Sequence, residues 1–379
     1  MNIPTTQASI LFVIDGLEFG GGERLFLQLA SKLRDRHHIF VATDRGGKFA
    51  HEVRNLDIEL FHVNMTRQLA LKPFYQIRDI IRHKGIHLVH SQGARADFFS
   101  RLAGRRARVP HIVSTIQMPV EGFEIGLLRK KIYRLMDKVS ERYVDRFIVV
   151  SEFLRKTLTE GRGISDERVV RIYNGIELDQ FHPDLKRSNL RKQWGITTEA
   201  PVIGAIGRLV WQKGFEYLIE AMPVILQDIP QAKLLLVGEG PLRHELEGLA
   251  RELNVYTRVI FAGFRSDIQD LLSIIDILSV PSLLEGFPMI TLEAMAMAKP
   301  IVATQIEGIV EQISDSDEGI LVQPKDTEAL ASAILRLIKD RELGNRLGAA
   351  ARSKIERYFS IDKMVKETEM VYLSLLEAT

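Results

Sequence analysis

The feature that most constrains this chain is a repeated alternation. Apolar runs of about four to six residues alternate with amphipathic stretches of about 10–15 residues, and this continues along nearly all of the 379-residue chain. Such alternation marks parallel βαβ units, because each parallel strand pair needs a long crossover. Some runs, such as Leu234-Leu235-Leu236-Val237, are apolar at every position. A strand of that kind is covered on both faces of its sheet.

In the first half, strands are expected at 9–14, 38–42, 58–63, 87–90, 111–116, 146–150 and 169–173, with helices between them, notably 23–34 and 127–143. A polar, irregular stretch at 175–200 follows. A second series then begins, with strands at 201–206, 233–237, 258–262, 277–280 and 300–303 and helices at 214–227, 241–253, 289–298 and 326–339. A last helix is expected at 361–377. The fold class is therefore α/β, with two doubly wound, Rossmann-like domains in tandem, 1–180 and 181–360. The length agrees, since single cores stop growing at about 250–300 residues. Open sheets of this type bind ligands beyond the carboxyl ends of their strands, so functional residues are sought just after strands.

Composition removes several classes. Cysteine is absent, which excludes disulfides, thiolate metal sites, iron–sulfur clusters and a cysteine nucleophile. No apolar run approaches the about 18 residues of a membrane span. The N-terminal MNIPTTQASILFVIDG has no basic region and no cleavage site, so it reads as a strand and not a signal peptide. A cytoplasmic location is expected. The net charge of +2 hides an asymmetry: residues 1–180 carry 29 Lys and Arg against 21 Asp and Glu, and the remainder is acidic. A basic half suggests an anionic partner such as a membrane surface, a phosphorylated lipid or nucleic acid. The segment Leu127–Tyr143 sets Arg129, Lys130, Lys131, Arg134 and Lys138 among apolar residues at helical spacing, with Arg101, Arg105, Arg106 and Arg108 nearby. A basic amphipathic helix of this kind is suited to lying on an anionic bilayer. It equally suits packing on its own sheet with a solvated basic face. Nucleic acid is not expected, because no stacking platform or recognised module is present.

Five motifs follow strands. Gly20-Gly21-Gly22-Glu23-Arg24 opens the first helix, where glycines admit a ligand to the helix N-terminus or simply make a tight turn. Gly207-Arg208 and Lys213-Gly214 share one loop, and an Arg with a Lys there can clamp a diphosphate. Gly238-Glu239-Gly240-Pro241 suits a phosphate loop or an ordinary turn. Phe261-Ala262-Gly263-Phe264 can wall a base pocket with backbone groups. The strongest motif is Glu285-Gly286-Phe287-Pro288-Met289, which leads into Glu293. The helix is expected to start near Met289, which puts Glu293 about 6 Å along it. Backbone N–H groups at 287–291, Pro288 excepted, can meet a phosphate. Glu293 can accept both hydrogen bonds of a ribose diol, and Glu285 can hold sugar hydroxyls.

The Glu-x7-Glu spacing, the GR…KG loop and the VGEGP turn resemble those of the retaining, nucleotide-sugar-dependent glycosyltransferases of family 4. The likeness extends to GGGER, LVHSQG, VVSEFLRKTL, IYNGIE and the closing helix, nearly the whole chain. It implies a GT-B fold, with two Rossmann-like domains facing across a cleft and the last helix returning to the first domain. The first domain would bind the acceptor and the second the donor. Carried over by motif, Arg208 and Lys213 would bind the donor diphosphate and steady its developing charge. Glu285 would hold the transferred sugar and Glu293 the ribose. Gly21, Gly22, Gly207, Gly263, Gly286, Phe287 and Met289 would line the donor site.

Retention in the family is usually explained by front-face attack, without a protein nucleophile. One departure stands out: many members have a His where this chain has Gln117, and Gln does not titrate. His90 and Gln117 are the acceptor-side candidates, although His90 equally suits a structural role. The resemblance implies no cofactor beyond the nucleoside-diphosphate sugar as co-substrate. The acceptor would be a glycan or lipid-linked molecule, as in surface polysaccharide or lipopolysaccharide assembly, with a peripheral location on the membrane. We see no Asp-x-Asp motif of the kind the other major glycosyltransferase fold uses, so no metal is expected. A sugar-nucleotide epimerase, a phosphorylase with pyridoxal phosphate and a non-catalytic nucleotide-sugar binder are the competing readings.

Overall fold

The structure, a computed structural model, describes residues 7–16, 19–65, 71–118, 126–184 and 189–378, with backbone alone at 127–130. Two compact units emerge: Met1–Asn174 with Asp362–Thr379, and Gly175–Ile361. The segment 175–200 thus belongs with the second unit.

The first unit runs β1 Ser9–Ile14, α1 Gly21–Leu33, β2 His38–Thr43, α2 Lys48–Arg54, β3 Glu59–His62, α3 Leu71–His83 and β4 Leu88–Gln92. It continues α4 Ala94–Ala107, β5 His111–Ile116, α5 Leu127–Ser140, β6 Arg146–Val149, α6 Glu152–Arg162 and β7 Val169–Arg171. Its seven strands lie in the order β3-β2-β1-β4-β5-β6-β7, and all neighbours are parallel. The order reverses between β1 and β4, which opens a crevice beyond their carboxyl ends. β1 is central and buried from Ile10 to Ile14, which is why SILFVI carries no charge. α1 buries Leu25, Phe26, Leu29, Ala30 and Leu33, the stripe its helical spacing dictates. Each of the Leu and Phe side chains stabilises by about 1.5–3 kcal/mol on burial. Its start is fixed by Glu23, whose Oε2 accepts the Gly20 N–H at 2.9 Å.

The second unit runs α7 Leu190–Gln193, β8 Val202–Ile206, α8 Phe215–Asp228, β9 Lys233–Val237, α9 Arg243–Glu252, β10 Val259–Phe261, α10 Ile268–Ile274 and β11 Ile277–Val280. It closes with α11 Met289–Ala296, β12 Ile301–Thr304, α12 Glu307–Val310, β13 Ile320–Val322, α13 Thr327–Lys339 and α14 Arg341–Tyr358. The strand order is β10-β9-β8-β11-β12-β13, again parallel, with its reversal between β8 and β11. Asp326 and Asp340 cap α13 and α14, each accepting a backbone N–H at 2.9 Å.

The last helix, α15 Ile361–Leu376, joins the first unit from Asp362 onward. Asp362 pairs with Lys32 at 2.9 Å, and Glu369 binds both Arg36 and His37. No helix among the described residues is long and apolar enough to cross a membrane.

Candidate active site

The two sheets each present their motifs at a reversal point. In the second unit the loop after β8 carries Arg208 and Lys213, and the loop after β11 carries Glu285. These loops meet: the Leu283 N–H donates to the Gln212 carbonyl at 2.7 Å. Lys213 Nζ then donates to Glu285 Oε1 at 2.5 Å, and Ser282 Oγ donates to the same oxygen at 2.8 Å. Glu285 is buried, Lys213 is one-fifth exposed, and Arg208 stands exposed. The Lys213 stem packs over Gly207, with Cε 3.3 Å from where a Cβ would project.

Backbone bonds join the neighbouring loops into one surface. Leu209 N–H donates to the Glu239 carbonyl and Gly238 N–H to the Gly263 carbonyl, both at 2.9 Å. Gly238 has φ +139°, and a Cβ on it would fall 1.8 Å from the Gly207 oxygen. Only glycine permits that approach. Gly263 lies at the same junction, where a Cβ would come 3.0 Å from Glu239 Oε1.

The Glu285 loop is braced from behind. A Cβ on Gly308 would lie 2.4 Å from the Glu285 carbonyl oxygen. Gln312, fully buried, donates through Nε2 to the Pro288 carbonyl at 3.0 Å. Pro288 is the residue before the first turn of α11. Glu293 follows along that helix, 2% exposed. Gly286 and Met289 are buried beside it. The Phe287 ring is turned into the core against Phe359, with centroids 5.5 Å apart. Only its backbone remains for a ligand.

In the first unit, Gln92 ends β4 and its Nε2 donates to the Gly22 carbonyl at 3.1 Å. Gln117, just past β5, donates to Gln92 Oε1 at 3.4 Å and exchanges hydrogen bonds with Asn174. Gly21 and Gly22 form the first turn of α1. Beside them Asp15 accepts Arg95 Nε and Nη2 at 3.0 and 2.8 Å. The sequence reading missed Asp15, Gln92, Arg95 and Asn174, which become neighbours only through the strand order.

His90 is corrected as an acceptor-side residue. It is 0% exposed, bonded through Nδ1 to the Tyr372 hydroxyl and through Nε2 to Thr115 Oγ1 at 2.7 Å. Burial pushes its pKa down to about 3. A side chain with both nitrogens committed in the core has nothing left for a substrate. Arg101 is corrected too. It was counted with the surface charge, but it is fully buried against Asp97, Asp137, Ser114 and Ser140.

The sequence does contain an Asp-Ser-Asp string at 315–317. Asp315 Oδ1 accepts the Leu321 N–H at 2.8 Å, so this carboxylate shapes the turn before β13. Among the described residues no cluster of three His, Asp or Glu side chains suited to a metal occurs.

Comparison with known proteins gives the family. Residues 186–354 match the model of glycosyl transferases group 1, and residues 19–180 match that of glycosyltransferase family 4. The chain belongs to the family 4 glycosyltransferases. This glycosyltransferase is 32% identical over 252 residues to an uncharacterized glycosyltransferase of Methanocaldococcus jannaschii, spanning 65% of this chain and 64% of that one. It is 25% identical over 321 residues to the Escherichia coli UDP-Gal:alpha-D-GlcNAc-diphosphoundecaprenol alpha-1,3-galactosyltransferase, spanning 83% and 82%. In fold it resembles Anabaena HepE in complex with UDP and glucose, with TM-score 0.86, 23% identity, and 97% of this chain and 100% of that one covered. The glycosyltransferase is thus of GT-B type, as the motifs implied.

Proposed function

We propose that this glycosyltransferase moves a sugar from UDP to a glycan carried on a polyprenyl diphosphate, with retention of anomeric configuration, in surface polysaccharide or lipopolysaccharide assembly. The observation that carries the reading is the Lys213–Glu285 contact at the β8/β11 reversal. A cation and a carboxylate on adjoining loops suit the two halves of a sugar nucleotide. Lys213 and Arg208 would meet the diphosphate, whose charge grows as the glycosidic bond breaks. Stabilisation aimed at developing charge is usually the largest catalytic term, and it is stronger in a partly buried site than in water. Glu285 would take sugar hydroxyls and Glu293 the ribose diol. Gly207, Gly263, Gly286, Phe287 and Met289 would offer backbone groups to the donor, and the Gly21–Gly22 turn would meet its sugar end.

The E. coli relative, named for a UDP sugar and a diphosphoundecaprenol acceptor, supports both substrate classes. No further cofactor is part of the mechanism. The test is incubation with UDP-, GDP- and ADP-sugars, with and without a polyprenyl-diphosphate glycan. UDP release that needs the acceptor supports transfer; conversion of the sugar nucleotide without acceptor would make the protein an epimerase.

A polyprenyl acceptor requires work at a membrane, and the reading includes a peripheral site on its cytoplasmic face. The outer faces of α3 and α5 are suited to it. Leu71, Tyr75, Leu135 and Val139 are 67%, 45%, 63% and 43% exposed, and the remaining exposed large apolar residue described in this unit is Met370. Lys72, Lys131, Arg134, Lys138 and Arg142 are exposed among them. Both helices pack against α4, so they lie on the same side of the sheet. Each basic side chain near an anionic surface contributes about 1 kcal/mol. Lys131→Gln with Lys138→Gln is therefore expected to weaken binding to phosphatidylglycerol vesicles roughly 30-fold in a flotation assay. Equal binding of the natural protein to neutral and anionic vesicles would remove the membrane from the account.

A further inference from the structure

Gln117, just past β5, is built into a network of side-chain hydrogen bonds. Four groups from distant parts of the first unit form a directed chain. Asn174 Nδ2 donates to Gln117 Oε1 at 3.1 Å. Gln117 Nε2 donates to Gln92 Oε1, and is shared with Asn174 Oδ1, at 3.4 Å each. Gln92 Nε2 donates to the Gly22 carbonyl at 3.1 Å. Asn174 and Gln92 are 2% and 5% exposed. None of the three amide side chains titrates, and each donates toward the next. Bonds aligned in this way reinforce one another where water is scarce.

The chain ends on the glycine turn. Gly22 lies so close that a Cβ there would meet Gln92 Nε2 at 3.4 Å and Gln117 Cγ at 3.7 Å. Its other end, Asn174, is buried at the end of the first unit's first segment. Beneath the amides is a cavity of about 20 Å³ walled by Phe26, Thr115, Ile172, Met364 and Thr368. It is large enough for about one water and too small for a sugar.

We infer that Gln117 is a positioning residue: through Gln92 it holds the Gly20–Gly22 turn at the N-terminus of α1, with Asn174 as its anchor, and the reaction draws no proton acceptor from this place. The inference rests on the transferase reading only for its kinetic consequences. The hydrogen-bond chain is tested separately.

The experiment compares the natural protein with Gln117→Leu and Gln92→Leu, which cut the chain at successive links. Amide hydrogen exchange is followed in peptides covering 19–33. Exchange there is expected to rise about tenfold in both variants, with other peptides unchanged. The kcat for UDP-sugar turnover falls roughly 10- to 100-fold, while the Kd for UDP alone stays within about twofold because those contacts belong to the other unit. The ratio of natural to Gln117→Leu activity is flat from about pH 6 to 9, whereas Gln117→His introduces a limb near the ordinary imidazole pKa of about 6.5.

Unchanged exchange with a lowered kcat would overturn the inference, since Gln117 would then act on substrate directly. Raised exchange with unchanged kcat would reduce it to a structural bond and overturn it equally. A pH-dependent ratio for Gln117→Leu would mean that a titrating group works there after all. If the natural protein turns over no sugar nucleotide, the transferase reading fails and the exchange result still decides the hydrogen-bond chain.

Discussion

Lys213→Met is expected to lower kcat by about 10²–10³ with much less effect on KM. Lys213 Nζ is the one side-chain nitrogen bonded to Glu285 among the described contacts, and both groups sit at the reversal where a donor would lie. The Glu285 carboxylate accepts from the ammonium and so orients it. An interaction that strengthens as charge develops acts on kcat more than on binding. Arg208, exposed on the same loop, is expected to contribute mainly to donor affinity. Arg208→Ala therefore raises KM more than it lowers kcat. Steady-state kinetics of the two variants separates these roles. A Lys213→Met enzyme with kcat within threefold of the natural one would contradict the assignment.

The second large effect concerns stability. Arg101→Leu is expected to cost about 3–5 kcal/mol, the usual result of removing one partner from a buried ion pair. Arg101 holds Asp97 at 3.4 Å and Asp137 at 2.5 Å and donates through Nε to Ser114 Oγ at 3.0 Å, all within the layer between β5, α4 and α5. Asp97 is 3% exposed, and burial already pushes its pKa up to about 6 despite Arg101 and the Ser91 hydroxyl. Without Arg101 it rises further.

The sign of the pH dependence follows. A carboxyl whose folded pKa exceeds its unfolded value binds protons more tightly in the native state, so stability falls as pH rises from about 3.9 through the folded pKa. The deficit of Arg101→Leu is therefore largest above pH 7 and shrinks as pH is lowered toward 5. Adding Asp97→Leu recovers part of it, because two apolar residues can replace a buried pair. Thermal denaturation of both variants across that pH range checks this. A single variant as stable as the natural protein would show that the network is not a buried ion pair in solution.

Much of this architecture was legible in the residues because parallel strands buried on both faces leave unbroken apolar runs. β1, β5, β9 and β11 begin and end where the sequence puts them. Five elements of the second unit were not legible: the short helices α7, α10 and α12, together with β13 and α14. β13, Ile320–Val322, is only three residues long and follows a polar turn, too short to show a period. α14, Arg341–Tyr358, is interrupted by Gly344 and Gly348 and reads as weakly helical. The structure shows why glycine is there: a Cβ at 348 would fall 2.1 Å from the Ala298 oxygen, and α14 packs closely on α11 through it.

The candidate site divides in the same way. Arg208, Lys213, Glu285 and Glu293 lie within local motifs, so they could be picked out as candidates from spacing. Ser282 and Gln312 as supports of Glu285, and Asn174 as the partner of Gln117, depend on strand order and on chain separations that no local pattern encodes. The burial of His90 was hidden for a related reason. LVHSQ reads as a strand end, and only the return of α15 brings Tyr372 over the imidazole.

The central claim is transfer of a sugar from UDP with retained configuration, and the direct measurement is the anomeric form of the first product. The natural protein is incubated with a UDP-sugar and an undecaprenyl-diphosphate-linked acceptor, and the new linkage is read by proton NMR. The account predicts acceptor-dependent UDP release and an α-linked product from an α-linked donor, both lost in Lys213→Met. A β-linked product, or a product formed equally well by Lys213→Met, would contradict it.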